Sequence, residues 1–564
     1  MTNQNYQSLK DAVAILPEIY QPIYNHPELY NDSSRVCADR LIYIKNIYDS
    51  LSKKLGRSLR VLDLGCAQGF ISLTIASWGA TVKGIDFLDK NIAVCQILMK
   101  EFPNYKVQFE CNQIENCIET LKSGEYDLVL GLSVFHHLCN IHGWEYVREK
   151  INVLAQNISV GIYELALRDE PLYWAKSLPI DFRFLLSGYS CVKTIAMSKT
   201  HLSDIKRPLC FASNKYVFFS PNILITIEKY LPASHHLVDN VHNGTRRYFI
   251  GEKKFIKFFC LNNIGKHPID LPNKQEIFNE IQILKKFGGK CGFPLLLKYE
   301  NKFDETWVMR EAFDGELLSD LIEKNVEYNP WDIIRQVLEY LIDLENEGYY
   351  YNDLRMWNII ISSNSKVHLI DYGAIIKSKR DCQWPENLIL SFLIFMDEVI
   401  NKKLRILPVR RVSLISSLKK NVSITKLYKI LELPSNDKLL FKELYEILFS
   451  KDDSIDIHCK TREEIFISYE NLLDRVVDDI SAHENAIDDI KKRIDYLQNN
   501  YNELANTNGD QITEIREKYK NLYNNLIRLN TKVENQSNEL HAITTSKVYE
   551  MYKIISKIKH FIKR

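Results

Sequence analysis

The chain has 564 residues, 46% hydrophobic and 26% charged, with a formal net charge of +1. That composition excludes wholesale disorder, and the balanced charge excludes nucleic-acid binding through a global basic field. At roughly 100–200 residues per domain the length predicts about three or four units. Twelve scattered cysteines predict reduced thiols in a cytosolic protein. No apolar run reaches the ~20 residues that span a bilayer, and MTNQNYQSLKDAV carries no secretory pattern.

Residues 1–212 alternate short apolar strands with helical patterns, the rhythm of a mostly parallel α/β sheet, with strands expected at 61–65, 81–86, 106–110, 127–131 and 160–164. In VLDLGCAQGFISLTIASWGATVKGIDF the first strand ends at Asp63. Gly65 and Gly69 then allow a sharp turn and close approach to a ligand before a helix starts. Asp86 ends the next strand, where a carboxylate can accept from ribose hydroxyls. The pattern is D-x-G-x-x-x-G, not the dinucleotide G-x-G-x-x-G. It resembles motif I of class I S-adenosylmethionine-dependent methyltransferases, and EYDLVLGLSVFHHL resembles their fourth strand. His136 and His137 follow that strand at the sheet's carboxyl edge. One of them is a general base or acceptor-positioning group, or both are loop residues bonding the backbone. Tyr20, Gln21 and Arg40 precede the first strand, and the residues alone leave them as ordinary helix positions.

Residues 213–455 begin strand-rich in RRYFIGEKKFIKFF and turn helical after Pro330, the order of a two-lobed α+β domain. In GYYYNDLRMWNIIISSNSKVHLIDYGAI, Asp353 and Asn358 have the spacing of the kinase loop H-R-D-x-x-x-x-N, with Tyr351 replacing the His. Asp371-Tyr372-Gly373 is a D-F-G variant. Phosphoryl transfer to an alcohol needs a carboxylate to take the hydroxyl proton, the role of Asp353. It also needs oxygen ligands for Mg²⁺, which Asn358 and Asp371 supply. Lys257 sits where a third-strand lysine would contact ATP phosphates, and Glu276 or Glu280 can pair with it. Trp307 to Glu311 resembles a hinge whose backbone reads adenine at Met309 and Glu311. A G-x-G-x-x-G loop is missing around Gly244 and Gly251, which favours a small-molecule or sugar kinase over a protein kinase. Trp357 either contacts an acceptor ring or is a buried aromatic.

In 470–545, Leu473, Val476, Ile480, His483, Ile487, Ile490, Ile494, Leu497, Tyr501 and Leu504 alternate steps of three and four, a coiled-coil seam. It resumes from Ile512 to Val533 after a stutter beside Gly509. So narrow a stripe needs partner helices, through self-association or by packing back on the globular part. The tail 546–564 is basic, and Val548, Tyr552, Ile555 and Phe561 can share one apolar face. It is either an interfacial helix for an anionic leaflet or a solvated helix end.

The order methyltransferase, kinase, coiled coil resembles the bifunctional kinase–methyltransferases that terminate polymannose O-antigen chains in Gram-negative bacteria. LPEIYQ, HPE, VLDLGCAQGF, GLSVFHH, EPLYW, RRYF, KFF and NDLRMWN carry the resemblance over about the first 400 residues. It implies ATP-dependent phosphorylation of a terminal sugar, of the sugar 3-O-kinase type. S-adenosylmethionine-dependent methylation of that phosphate then blocks extension. Tyr20, Gln21, Arg40, Gly65 and Asp86 match cofactor positions, Gln113-Ile114-Glu115 the adenine side, and Asp353, Asn358 and Asp371 the kinase centre. Met356 replaces a proline of the family's loop, D-Y-G replaces D-F-G, and the chain ends soon after the coiled coil. The implied cofactors are S-adenosylmethionine, ATP and Mg²⁺. The expected partners are a polymannose acceptor and further copies of the chain, as a trimer through the coiled coil. A membrane-bound polymerase is also expected, the coiled coil setting its distance and so the glycan length. The expected location is the cytoplasmic face of the inner membrane. A phosphomonoester carries about −1.5 to −2 charge, so its oxygen attacks a methyl group without a base and needs mainly a cationic clamp, from Arg40 or Arg168. Two alternatives stay open: direct methylation of a sugar hydroxyl with a non-catalytic kinase lobe, and a chain-length scaffold recruiting a polymerase.

Overall fold

The structure is a computed structural model that describes residues 3–29, 33–233, 245–261, 273–290, 292–379, 381–382, 387–404, 421–431 and 440–449. Residues 418 and 433 and short stretches between 487 and 533 are also described. It divides into two units, the first formed by Met1–Ala233, Gly244–Asn262 and Lys298–Met309.

In this first unit, helices α1 (Asn3–Ala14) and α2 (Ala38–Leu55) lead into β1 (Arg60–Leu64), α3 (Phe70–Ser77), β2 (Thr81–Asp86), α4 (Asp89–Glu101) and β3 (Lys106–Cys111). There follow α5 (Ile114–Glu119), β4 (Leu128–Leu132), α6 (Phe135–His142), α7 (Trp144–Asn157), β5 (Val160–Glu164), β6 (Cys191–Ser198) and β7 (Arg207–Ser213). The seven strands run in the order β3-β2-β1-β4-β5-β7-β6. The first five are parallel, while β7 is antiparallel to both β5 and β6. All five expected strands are present within a residue or two. Central strands such as LVLGL are buried along their whole length, because helices cover both faces of a parallel sheet. Strand order reverses between β1 and β4, so their carboxyl ends open the crevice where such sheets bind ligands.

Beyond β7 lie the pair β8 (Tyr216–Phe219) and β9 (Ile223–Thr226). A second sheet has the order β10-β11-β12-β14-β13, formed by β10 (Lys229–Leu231), β11 (Arg246–Gly251), β12 (Lys254–Cys260), β13 (Leu296–Lys302) and β14 (Glu305–Glu311). Phe249, Ile256, Phe258 and Trp307 of this sheet share one apolar core with Val61, Ile75 and Phe211. The division expected at 212/213 therefore falls inside a single packed unit. Among the described residues, these strands bury Phe249, Ile256, Phe258 and Trp307 in a core shared with the neighbouring sheet.

The second unit is largely helical: α8 (Asn273–Phe287), α9 (Leu318–Glu323), α10 (Pro330–Asn346), α11 (Leu388–Asn401), and helices Ile424–Leu431 and Leu440–Phe449. Asn329 caps α10 by accepting from the N–H groups of Trp331 and Asp332 at 3.1 and 3.3 Å, and Pro330 fills the first turn, where no amide donor is needed. Glu345 at the far end accepts from Phe441 N–H at 2.8 Å, seating the start of Leu440–Phe449 on α10. Short strands β15 (Glu316–Leu317), β16 (Tyr350–Tyr351), β17 (Ile359–Ile361), β18 (Val367–Leu369) and β19 (Ile375–Ile376) frame the loops described below. Of the expected coiled coil, Ile487 and Ile490 are buried with Leu529, flanked by Leu526 and Val533, so positions from both halves of the seam meet within one chain. The remaining seam and the tail 546–564 lie outside the described residues. No helix among the described residues is long and apolar enough to cross a membrane.

Candidate functional site

The loop after β1 holds Gly65 and Gly69 at φ of +77° and +78°, a region that L side chains rarely enter. A Cβ on Gly69 would stand 3.0 Å from Cys95 Sγ and from the Phe109 ring, so only glycine lets the loop lie this tightly on its core. Asp86 fixes the same loop. Its Oδ2 accepts from Ala67 N–H at 2.9 Å, and its Oδ1 accepts from Leu88 N–H at 3.0 Å and Asn91 Nδ2 at 3.1 Å. A carboxylate has about four acceptor positions, so one remains for a ribose hydroxyl. Buried Asp63 on β1 accepts from Ser72 Oγ of α3 at 2.6 Å, tying strand to helix, and burial pushes its carboxyl up to about 6.

The N-terminal segment straps this loop. Tyr20 and Gln21 lie in non-helical chain, whereas Arg40 is on α2. Gln21 Oε1 accepts from Phe70 N–H at 3.1 Å, satisfying the first amide of α3, and Gln21 N–H donates to Gln68 Oε1 at 3.0 Å. Gln68 Nε2 donates to Asn91 Oδ1 at 2.7 Å, closing a chain from Gln21 to Asp86. Gln68 and Asn91 were not singled out from the sequence, although Gln68 lies inside the glycine motif and its amide both donates and accepts. The Tyr20 ring meets His201 edge-on at 5.7 Å. Gln113 precedes α5, Ile114 is buried, and Glu115 faces His142 Nε2 at 3.5 Å.

Arg40 is buried, and its guanidinium bonds Glu164 at the end of β5 and Cys37 Sγ at 3.1 Å. Arg35 bonds the other oxygen of Glu164, and Ser133 Oγ donates to Glu164 at 2.7 Å. Burial disfavours charge on Glu164, but the two guanidiniums outweigh it and hold the carboxyl below its ordinary value. Asp39 Oδ1 also lies 3.7 Å from Arg40 Nε, so the two cations of this cluster face two carboxylates. Arg40 is thus committed to an internal ion pair and is not a free clamp. Arg35 and Glu164 belong to no sequence pattern and meet only on folding. His136 is the second residue of α6, with its ring 4.4 Å from that of Trp174 and 4.1 Å from that of His137. Burial first, then the charges of His137, Arg207 and Arg35, depress its pKa well below the ordinary value. Trp174 belongs to EPLYW, a segment held by the buried pair of Glu170 and Arg207 at 2.8 and 2.6 Å.

The phosphotransfer residues fall in both units. In the first, Lys257 is buried on β12 and Met309 on β14, beside Trp307, which packs on Phe258 at 4.7 Å. In the second, Asn358 Nδ2 donates to the carbonyl of Asp353 at 3.0 Å and to its Oδ2 at 2.8 Å. With both amide protons engaged there, Asn358 Oδ1 is left as a hard oxygen donor. Burial raises the Asp353 carboxyl above its ordinary value despite Arg355, whose Nε lies 3.4 Å away. Arg355 is fixed by a bidentate pair with Asp381 at 2.6 and 3.1 Å, a partner with no sequence signature. Asp371 is held at φ +67°, and Asn279 of α8 pins the next turn by donating to Gly373 O and Ile375 O, both at 2.7 Å. Glu280 is buried on α8, Glu311 Oε2 accepts from Leu295 N–H at 2.9 Å, and Trp357 is buried. Asn358 and Asp371 fit Mg²⁺, which prefers oxygen ligands and takes others from nucleotide phosphates.

A parallel sheet with a glycine-turned first loop and an acid ending β2 defines the class I methyltransferases, and the Asp353–Asn358–Asp371 set is that of protein-kinase-like phosphotransferases. Residues 61–157 match the family described as methyltransferase domain. The chain is 38% identical over 396 residues to the O-antigen chain terminator bifunctional methyltransferase/kinase WbdD of Escherichia coli, covering 70% of this chain and 56% of that protein. It therefore spans about half the length of that curated relative. A medium-resolution structure of the bifunctional kinase-methyltransferase WbdD is similar at a TM-score of 0.68 and 34% identity, over 82% of this chain and 100% of that one. A low-resolution WbdD structure with its C-terminal bundle ordered gives 0.70 and 33%, over 88% and 99%. The chain belongs to the WbdD family of bifunctional kinase–methyltransferases.

Proposed function

We propose that the protein ends the growth of a surface polysaccharide by phosphorylating its non-reducing terminal sugar with ATP and then methylating that phosphate with S-adenosylmethionine. The observation that carries this reading is the paired geometry of Asn358 and Asp353, at 2.8 Å, in a chain whose Asp86 also organises a methyl-donor loop. Asp353 orients the sugar hydroxyl and takes its proton as the oxygen attacks the γ-phosphorus, while the bond from that phosphorus to the β,γ-bridging oxygen breaks and ADP leaves with the electron pair. Lys257, Glu280, Met309 and Glu311 serve ATP, and Asn358 and Asp371 hold Mg²⁺, whose charge offsets that of the phosphates. In the second step the phosphate oxygen attacks the sulfonium methyl, and the carbon–sulfur bond breaks toward sulfur. Gly65, Gly69, Asp86 and the Gln113–Glu115 segment bind the donor, Tyr20 and Gln21 close over its loop, and Arg40 serves the same site from its buried pair with Glu164. A curated relative's name, O-antigen chain terminator, supports a surface-glycan acceptor. A polymannose acceptor, a trimer whose coiled coil measures length against a membrane-bound polymerase, and a place on the cytoplasmic face of the inner membrane belong to the same proposal.

The test offers an oligomannoside with labelled S-adenosylmethionine, with and without ATP and Mg²⁺. Label that enters only with ATP, and is lost in Asp353→Ala, is the expected result. Equal labelling without ATP overturns the phosphate acceptor in favour of a hydroxyl.

A further inference from the structure

A histidine that acts as a general base must present a lone pair to the acceptor. It does so when its other ring nitrogen donates to a carboxylate or carbonyl that fixes the tautomer. His136 lacks that support. Its Nδ1 is enclosed and has no hydrogen-bond partner, so any ligand contact must be made through Nε2. The ring lies between Trp174 and His137, and the charged or titratable groups that face it are His137 on α6, Arg207 on β7 and Arg35. Both arginines are tied to carboxylates, Glu170 and Glu164, and neither carboxylate bonds Nδ1. A neutral imidazole has one N–H and one lone pair. An enclosed N–H without an acceptor is among the rarest of buried polar groups, so the proton belongs on Nε2. Two guanidiniums and a second imidazole nearby oppose uptake of another.

We infer that His136 donates an Nε2–H hydrogen bond to a non-attacking oxygen of the acceptor phosphate, orienting it for methyl transfer, and takes no proton itself. This rests on the phosphate-acceptor reading, in which the attacking oxygen is already ionised. One carbon–oxygen bond forms, one carbon–sulfur bond breaks with its electron pair going to sulfur, and no proton moves. A sugar hydroxyl would instead need the base that this ring is not arranged to be.

The test compares the wild type, His136→Gln and His136→Leu on a chemically phosphorylated oligomannoside, with kcat/KM followed from pH 6 to 9. Glutamine keeps an N–H donor near the Nε2 position but offers no basic nitrogen. The expected result is that His136→Gln stays within about tenfold of wild type while His136→Leu falls about a hundredfold, the usual loss for one preorganised donor. S-adenosylmethionine binding is expected to be unchanged in both, and added imidazole should not rescue the leucine variant. The inference is overturned if the glutamine variant is as inactive as the leucine one, if imidazole restores the leucine variant, or if both variants keep full activity. Should His136→Leu fail to fold, the glutamine variant and its pH profile decide alone. Failure of the phosphate reading shows separately, as wild-type label on the unphosphorylated glycan, and the same variants are then compared on that acceptor.

Discussion

Glu305 on β14 accepts hydrogen bonds from both the backbone N–H and the hydroxyl of Thr194 on β6, at 3.1 and 2.8 Å. One carboxylate thereby joins the five-stranded sheet to the edge of the seven-stranded one. Arg183 and Trp307 Nε1 donate to the same carboxylate, each at 3.2 Å, and Lys193 pairs with Glu300 at 2.7 Å nearby.

Glu305→Ala leaves the buried Thr194 and Trp307 donors without an acceptor, while Arg183 keeps Asp181 at 3.1 Å, so it is expected to destabilise the fold by about 1–3 kcal/mol. Urea denaturation measures this. A fragment ending at residue 212 is expected to aggregate, because the shared core would be cut open; a monomeric fragment that binds S-adenosylmethionine would contradict the shared core.

Asn358→Ala removes the two hydrogen bonds that orient Asp353. Phosphoryl transfer is expected to fall by roughly 10²–10⁴-fold, the range of general-base contributions. Methyl transfer to an acceptor phosphorylated beforehand should persist, since no residue assigned to that step is altered. Separate assays with labelled ATP and labelled S-adenosylmethionine read the two effects.

Asp86→Asn replaces one acceptor oxygen by a donor that faces Ala67 N–H on one side, or Leu88 N–H and Asn91 on the other. An unsatisfied buried group of this kind costs about 1–3 kcal/mol. Titration calorimetry should show S-adenosylmethionine binding weakened by at least about tenfold, with ATP binding as in the wild type.

The lowered pKa of His136 gives a pH dependence of stability with a defined sign. Below about 6.5, the ordinary histidine value, the unfolded chain binds a proton at this position and the folded chain does not, so stability falls as pH drops. His136→Gln removes that contribution, and its stability relative to wild type should improve steadily from pH 7.5 to 5.5. His26, raised by Glu101 and Glu28 despite burial, acts oppositely and is present in both proteins, so the difference isolates His136. A difference independent of pH would refute the assignment.

Features controlled by short-range geometry can be read directly from residue order. The Gly65–Gly69 turn and the five-residue step from Asp353 to Asn358 each complete their geometry within a few residues, so their spacing is their structure, and the acid at the end of β2 follows from the strand–helix–strand repeat that sets it beside that turn. The alternation of strands and helices was legible for the same reason, because periodicity reports which faces are buried. Tertiary structure alone decided the rest. Arg40 lies 124 positions from Glu164 and Thr194 lies 111 from Glu305, and neither separation leaves a mark on local pattern. The boundary at 212/213 looked like a junction because composition shifts there, yet the strands that follow bury their apolar face on the preceding sheet. The protonation of His136 depends on what encloses Nδ1, and the long-range approach of Trp174 and Arg207 decides it. A buried charge or a shared core is fixed by which surfaces meet when water is excluded, and no local pattern specifies that meeting.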